Sequence, residues 1–248
     1  MCRVHLLCAA PIPYPVGYQG IDNQQGNTLQ VPTFNSIGGE GFKLQDLIPS
    51  GDTIIGGGET TLQTLTKDKT QAQLFFWLTD NEWGTSCGKD GWFEGMEDEQ
   101  TEELSDKVFD PGEGYIFYSQ NGTAKTTYSG EVKYPVEIDV VQGNTICGNF
   151  WPTKMSIQSI IPAGSTTIGG GETTLQTLTK DKTQAELFFW LTDNEWGTTC
   201  GEDGWFEGME DEQTVELSKR EFKPGEAFLF YSQNGAATLN FPELKVGE

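Results

Sequence analysis

The chain has 248 residues, of which 35% are hydrophobic, with 37 Asp and Glu against 15 Lys and Arg and a formal net charge of −22. Nucleic-acid binding needs cations that displace counterions condensed on phosphate, so this balance argues against DNA, RNA and anionic membrane surfaces as partners. No apolar run approaches the roughly 20 residues that cross a bilayer, so membrane insertion is not expected.

Residues 1–13 place Arg3 before a short apolar run, like the tail of an export signal but too short for a whole one. They read as a lead-in or truncated signal, and the chain as secreted or displayed at a cell surface. Two units follow, at 14–133 and 134–248. Their likeness carries the division: residues 56–124 recur as 169–237, with 57 of 69 positions identical. Upstream the match weakens, and the offset runs from 120 through 117 to 113. Each unit is about 115 residues, enough to bury its own core.

Within the first unit, residues 44–48 fit a single helical turn stopped by Pro49. Gly56, Gly57 and Gly58 lack the Gly-Lys-Ser/Thr of a phosphate loop and read as a turn. Residues 61–66 and 71–79 are rich in Thr, Leu and aromatics around a polar turn at 67–70, which predicts a hairpin. Residues 82–84 and 91–94 suggest a second, tighter hairpin. Residues 96–104 read as a loop or short exposed helix. Pro111 to Gly114 suits a turn with Pro second and Gly third. It leads into a strand at 115–120, and Asn121-Gly122 is a hairpin signal before a strand at 123–132. Residues 134–143 begin the second unit, which repeats the series. The fold class expected is all-β, two tandem sandwich- or barrel-like repeats.

Three chemistries compete at residues 80–99 and their copy at 193–212. Calcium, the one candidate cofactor, takes 6–8 oxygen ligands. Asp80, Glu82, Asp90 and Glu94, with Asp193, Glu195, Asp203 and Glu207, are the candidate carboxylates, without EF-hand spacing. Glycans would stack on Trp83 and Trp92, or Trp196 and Trp205, beside the acidic side chains; the competing reading puts these tryptophans in the core. Glu82 and Glu94 could pair as glycosidase carboxylates, but the single histidine, His5, lies outside both repeats, and no nucleophile elbow or metal triad appears. The chain therefore reads as no enzyme. Five cysteines without a Cys-x-x-Cys pair argue against zinc.

The twelve differences within the repeat include one charge cluster. Asp106, Lys107, Val108 and Asp110 become Lys219, Arg220, Glu221 and Lys223, changing the net from −1 to +2. Such swaps cost little on a solvated edge. Alternatively an acidic edge meets a basic one head to tail, within or between chains. Asp106, Asp110, Lys219, Arg220 and Lys223 are the interface candidates.

Pro111–Phe117 and Pro224–Phe230, with Gly148-Asn149-Phe150-Trp151-Pro152 and, loosely, Val31-Pro32-Thr33-Phe34, resemble a GN…P and PGxG(F/Y) repeat of uncharacterised secreted bacterial proteins. The resemblance implies export and a β-rich repeat, and it carries no catalytic residues. The function expected is a non-catalytic structural or adhesive protein that works by contact with other protein subunits, surface components or itself. The alternative is a bivalent carbohydrate-binding protein, with glycans as partners.

Overall fold

The computed structural model describes residues 16–50, 60–66, 68–79, 88–95, 103–132, 137–163, 173–178, 184–192, 201–208 and 216–241. Apart from short 3-10 turns, their regular structure is β. The first copy contains β1 (Val16–Asn23), β2 (Gly26–Gln30), β3 (Phe42–Lys43), β4 (Ile48–Ser50), β5 (Thr60–Leu65), β6 (Ala72–Leu78), β7 (Gly91–Glu94), β8 (Val108–Phe109), β9 (Tyr115–Ser119) and β10 (Ala124–Glu131). The second contains β11 (Glu137–Val140), β12 (Gly143–Gly148), β13 (Met155–Ser156), β14 (Ile161–Ala163), β15 (Thr173–Leu178), β16 (Ala185–Leu191), β17 (Gly204–Glu207), β18 (Glu221–Phe222), β19 (Ala227–Ser232) and β20 (Ala237–Asn240).

Each copy builds the same antiparallel sheets. A five-stranded sheet runs β2-β9-β5-β6-β7 in the first copy and β12-β19-β15-β16-β17 in the second. A three-stranded sheet runs β1-β10-β4 and β11-β20-β14, and a small pair joins β3 to β8 and β13 to β18. The all-β expectation is met, and the sheets cover a common core. Strand alternation turns Leu62, Phe75, Trp77, Trp92, Tyr115 and Phe117 to one face of the five-stranded sheet. There they meet Ala124 and Tyr128 of the three-stranded sheet and Phe42 and Phe109 of the small pair. On the opposite face, Phe76, Leu78 and Phe93 form a smaller cluster with Leu74 and Leu104.

The hairpin expected at 61–79 is β5–β6, closed by a hydrogen bond from the Thr66 N–H to the Gln71 carbonyl. The single turns before Pro49 and Pro162 are the 3-10 segments Leu44–Asp46 and Ile157–Ser159. Two expectations need correction. Residues 91–94 pair with β6, while 82–84 lie outside the described residues. Asn121-Gly122 does not close a hairpin: β9 is already flanked by β2 and β5, so the chain turns a corner and β10 joins the other sheet.

The copies meet reciprocally. Gln30 bridges Glu226, and Cys147 bridges Glu113. Gln30 and Cys147 occupy equivalent positions, as do Glu113 and Glu226. The Val31 N–H donates to the Gly225 carbonyl at 3.0 Å, and the Gly114 N–H to the Ile146 carbonyl at 2.9 Å. Each copy therefore lays its Pro-Gly-Glu turn against the end of β2 or β12 in the other. This is the pattern of a two-fold, isologous contact, so within one chain the head-to-tail expectation is replaced. The approach requires glycine on both sides. A Cβ on Gly112 (φ 85°) would lie 2.2 Å from Ile138 Cδ1, and one on Gly225 (φ 78°) 2.6 Å from Ile21 Cδ1.

Candidate functional site

The aromatic residues proposed to stack on sugar are core where they are described. Trp92 and Trp205 are both 0% exposed. Their indole N–H groups donate to the carbonyls of Leu47 and Ile160, each at 2.7 Å. Trp92 packs edge-on against Trp77 at 5.5 Å, and Trp205 against Trp190 at 5.4 Å. A ring enclosed in this way presents no face to a ligand, so both are corrected from glycan platforms to core. Trp83 and Trp196 lie outside the described residues.

The calcium candidates divide similarly. Asp80, Glu82, Asp193 and Glu195 lie outside the described residues. Asp90, Asp203 and Glu207 are exposed at the rims of β7 and β17, and Glu94 accepts a hydrogen bond from Gln73. Among the described residues no group of three or more His, Cys, Asp or Glu converges on a metal position.

The charged edge is organised inside each copy. Lys107 and Arg220 stand at equivalent positions, and each pairs with the Glu of its own Pro-Gly-Glu turn, Glu113 at 2.7 Å and Glu226 respectively. Both cations also lie 5.1 Å from a ring centroid, Phe109 or Phe222. The second copy adds a partner: Arg220 Nε meets Glu186 at 3.0 Å, where the first copy has Gln73. The Lys-to-Arg and Gln-to-Glu differences are thus one compensated change. Burial holds the Glu186 carboxyl above the ordinary carboxylate range, against the pull of Arg220. Asp106, Asp110, Lys219 and Lys223 are exposed.

A buried polar cluster sits beside the contact between copies. Gln30 reaches Asn23 through its amide N–H, and its carbonyl accepts from Tyr115 at 2.9 Å and Thr126 at 3.2 Å. The Asn23 amide also donates to Thr126 at 3.2 Å. All four are buried. Their equivalents in the second copy are Val140, Cys147, Phe228 and Leu239, also buried and wholly without this network.

Next to the cluster, a cleft of about 880 Å³ opens between the copies. One wall comes from β1, β2 and the start of β10, including Gln19, Ile21, Asp22 and Lys125. The other comes from the end of β15, the residue before β18 and the turn after it, including Leu178, Arg220, Lys223 and Glu226. Arg220 and Lys223, singled out from the sequence as edge charges, therefore line this cleft. Gln19, Asn23, Gln30 and Lys125 were missed. Their signal lay in the weaker upstream alignment and just past the strong repeat, where they oppose apolar or uncharged residues. No protein family, curated protein or solved structure matches this chain.

Proposed function

We propose that the chain is a non-catalytic structural or adhesive protein, secreted or held at a cell surface, that works through contact with other protein surfaces and with copies of itself. The observation that carries this reading is the placement of apolar side chains. Among the described residues, the aromatic side chains that both copies share are enclosed except Tyr118 at 36% and Tyr231 at 37%, and Ile48 at 51% and Ile161 at 49% form a second equivalent pair that stays exposed. Equal exposure at equivalent sites gives the chain the same apolar features twice. Ile48 and Ile161 lie on β4 and β14, the edge strands of the three-stranded sheets. A contact from the first copy of one chain to the second copy of another can therefore repeat from chain to chain and extend head to tail. Pro49 and Pro162 at the centres of these edges remove a backbone donor each, which favours side-chain contact over strand addition.

Sedimentation velocity across a concentration range, with and without calcium, tests the reading. The wild-type chain is expected to sediment faster as concentration rises, and the Ile48→Lys/Ile161→Lys variant to remain at the monomer value. A wild-type chain that stays monomeric throughout refutes the self-association. Loss of association on chelation would assign calcium a part in it.

A further inference from the structure

Copies this similar should build two similar junctions, yet several of their differences fall at the junctions and make the two unlike. Lys125 stands where the second copy has Thr238, and Lys223 where the first has Asp110. Arg220 replaces Lys107, and Asn23 and Gln30 oppose Val140 and Cys147. Lys125, Lys223, Arg220, Asn23 and Gln30 all line the same cleft. Asn23, Gln30 and Lys125 come from the first copy and Arg220 and Lys223 from the second, and one concavity gathers them.

Their electrostatic effect sets this junction apart from its twin. The described lining carries Lys125, Arg220 and Lys223 against Asp22 and Glu226, and Glu186 also pairs with Arg220, so the charges balance there on a protein of net charge −22. The equivalent positions at the other junction carry Lys107 against Asp110, Glu113 and Asp139, and there the Lys69 ammonium donates to the Asp139 carbonyl. Arg220 is held by Glu186 and Glu226. Lys125 and Lys223 are exposed and make no ion pair among the described residues. A bare inorganic anion would leave most of an 880 Å³ cleft unfilled; sites of roughly 300–1,000 Å³ suit organic ligands. Ile21, Leu29 and Leu178 supply apolar wall for a ring face, and Gln24 and Thr123 supply neutral hydrogen-bonding groups for hydroxyls.

We propose that this cleft binds one small hydroxylated organic anion of the acidic-sugar class per chain, with Lys125 of the first copy and Lys223 of the second flanking its carboxylate. The site is single because the sequence differences between the copies create it.

Calorimetric titration of the full chain with digalacturonate, with neutral cellobiose and with inorganic phosphate tests this. The variant is Lys125→Thr/Lys223→Asp, which installs at each position the residue the other copy already carries. Lys125→Gln/Lys223→Gln is the second variant should the first melt early. Saturable binding of digalacturonate is expected, weakened by at least about tenfold in either variant and by added salt, with cellobiose binding weakly. Absence of saturable digalacturonate binding, equal binding of phosphate, or unchanged affinity in the folded variants overturns the proposal.

Discussion

The buried cluster of Asn23, Gln30, Tyr115 and Thr126 supports a prediction worked from both copies. Tyr115→Phe removes one of two donors to the Gln30 carbonyl and leaves Thr126 in place, so its cost is about 1 kcal/mol. Asn23→Val strands the Gln30 amide N–H in the interior, at about 1–3 kcal/mol. Gln30→Cys orphans three partners and opens a cavity, at about 2–4 kcal/mol. Thr126→Leu removes two hydrogen bonds and overpacks, at about 2 kcal/mol. Added separately these reach about 6–10 kcal/mol. The four together recreate the side-chain set that the second copy already packs at Val140, Cys147, Phe228 and Leu239. The volume lost at position 30 is returned at 126, and no polar group is left unpaired. The quadruple variant should therefore lie within about 1–2 kcal/mol of wild type. Urea unfolding followed by circular dichroism measures each variant, with constant m-values confirming that midpoints report stability. A quadruple variant as damaged as the summed singles would show that the four side chains do not act as one unit.

Three further outcomes follow from the same geometry. Trp92→Phe and Trp205→Phe each remove a buried N–H donor to a carbonyl, and each should cost about 2–3 kcal/mol in urea midpoints; a change below about 0.5 kcal/mol would place these rings at the surface. Gly112→Ala and Gly225→Ala drive a Cβ into Ile138 or Ile21 at positive φ, and scanning calorimetry should show one unfolding transition splitting into two as the copies separate. Burial pushes the Cys147 thiol up to about 12, against the pull of Lys69. Folding thus favours its protonated form, a contribution complete below the thiol's ordinary range and lost as pH rises toward the folded value. Iodoacetamide at mildly alkaline pH should leave Cys147 untouched in the native chain and alkylate it in urea, and Cys147→Val should flatten the alkaline loss of stability.

Much of one copy was legible because its signals are local. The β5–β6 hairpin follows from alternation around a polar turn, and the Pro-Gly-Glu turns from Pro and Gly at fixed places. Asn121-Gly122 was misread because turn chemistry reports a reversal and not which strand pairs next. Trp92 was ambiguous because a tryptophan among carboxylates is compatible with either face of a strand. Its partner settles the face: it lies opposite Trp77, in the same row as Phe75 and Leu62. The cleft escaped because its walls are far apart in sequence, joined only by the contact between copies. The cations at 220 and 223 were visible as a difference, yet the neighbours that give them meaning, Lys125 and Gln19, come from the start and end of the other copy.

The reciprocal contact has a consequence for how such a chain diversifies. In a symmetric pair of separate subunits, every substitution appears on both sides of the axis at once, and whatever forms at one junction must form at the other. Tethering the partners in a single polypeptide breaks that constraint and spares most of the translational and rotational entropy of association. Each half can then accept changes the other refuses. One side keeps a hydrocarbon interior while the other acquires a hydrogen-bonded one, and one junction takes lysines where its twin keeps an aspartate and a threonine. The tether thus allows asymmetry to accumulate without loss of partnership.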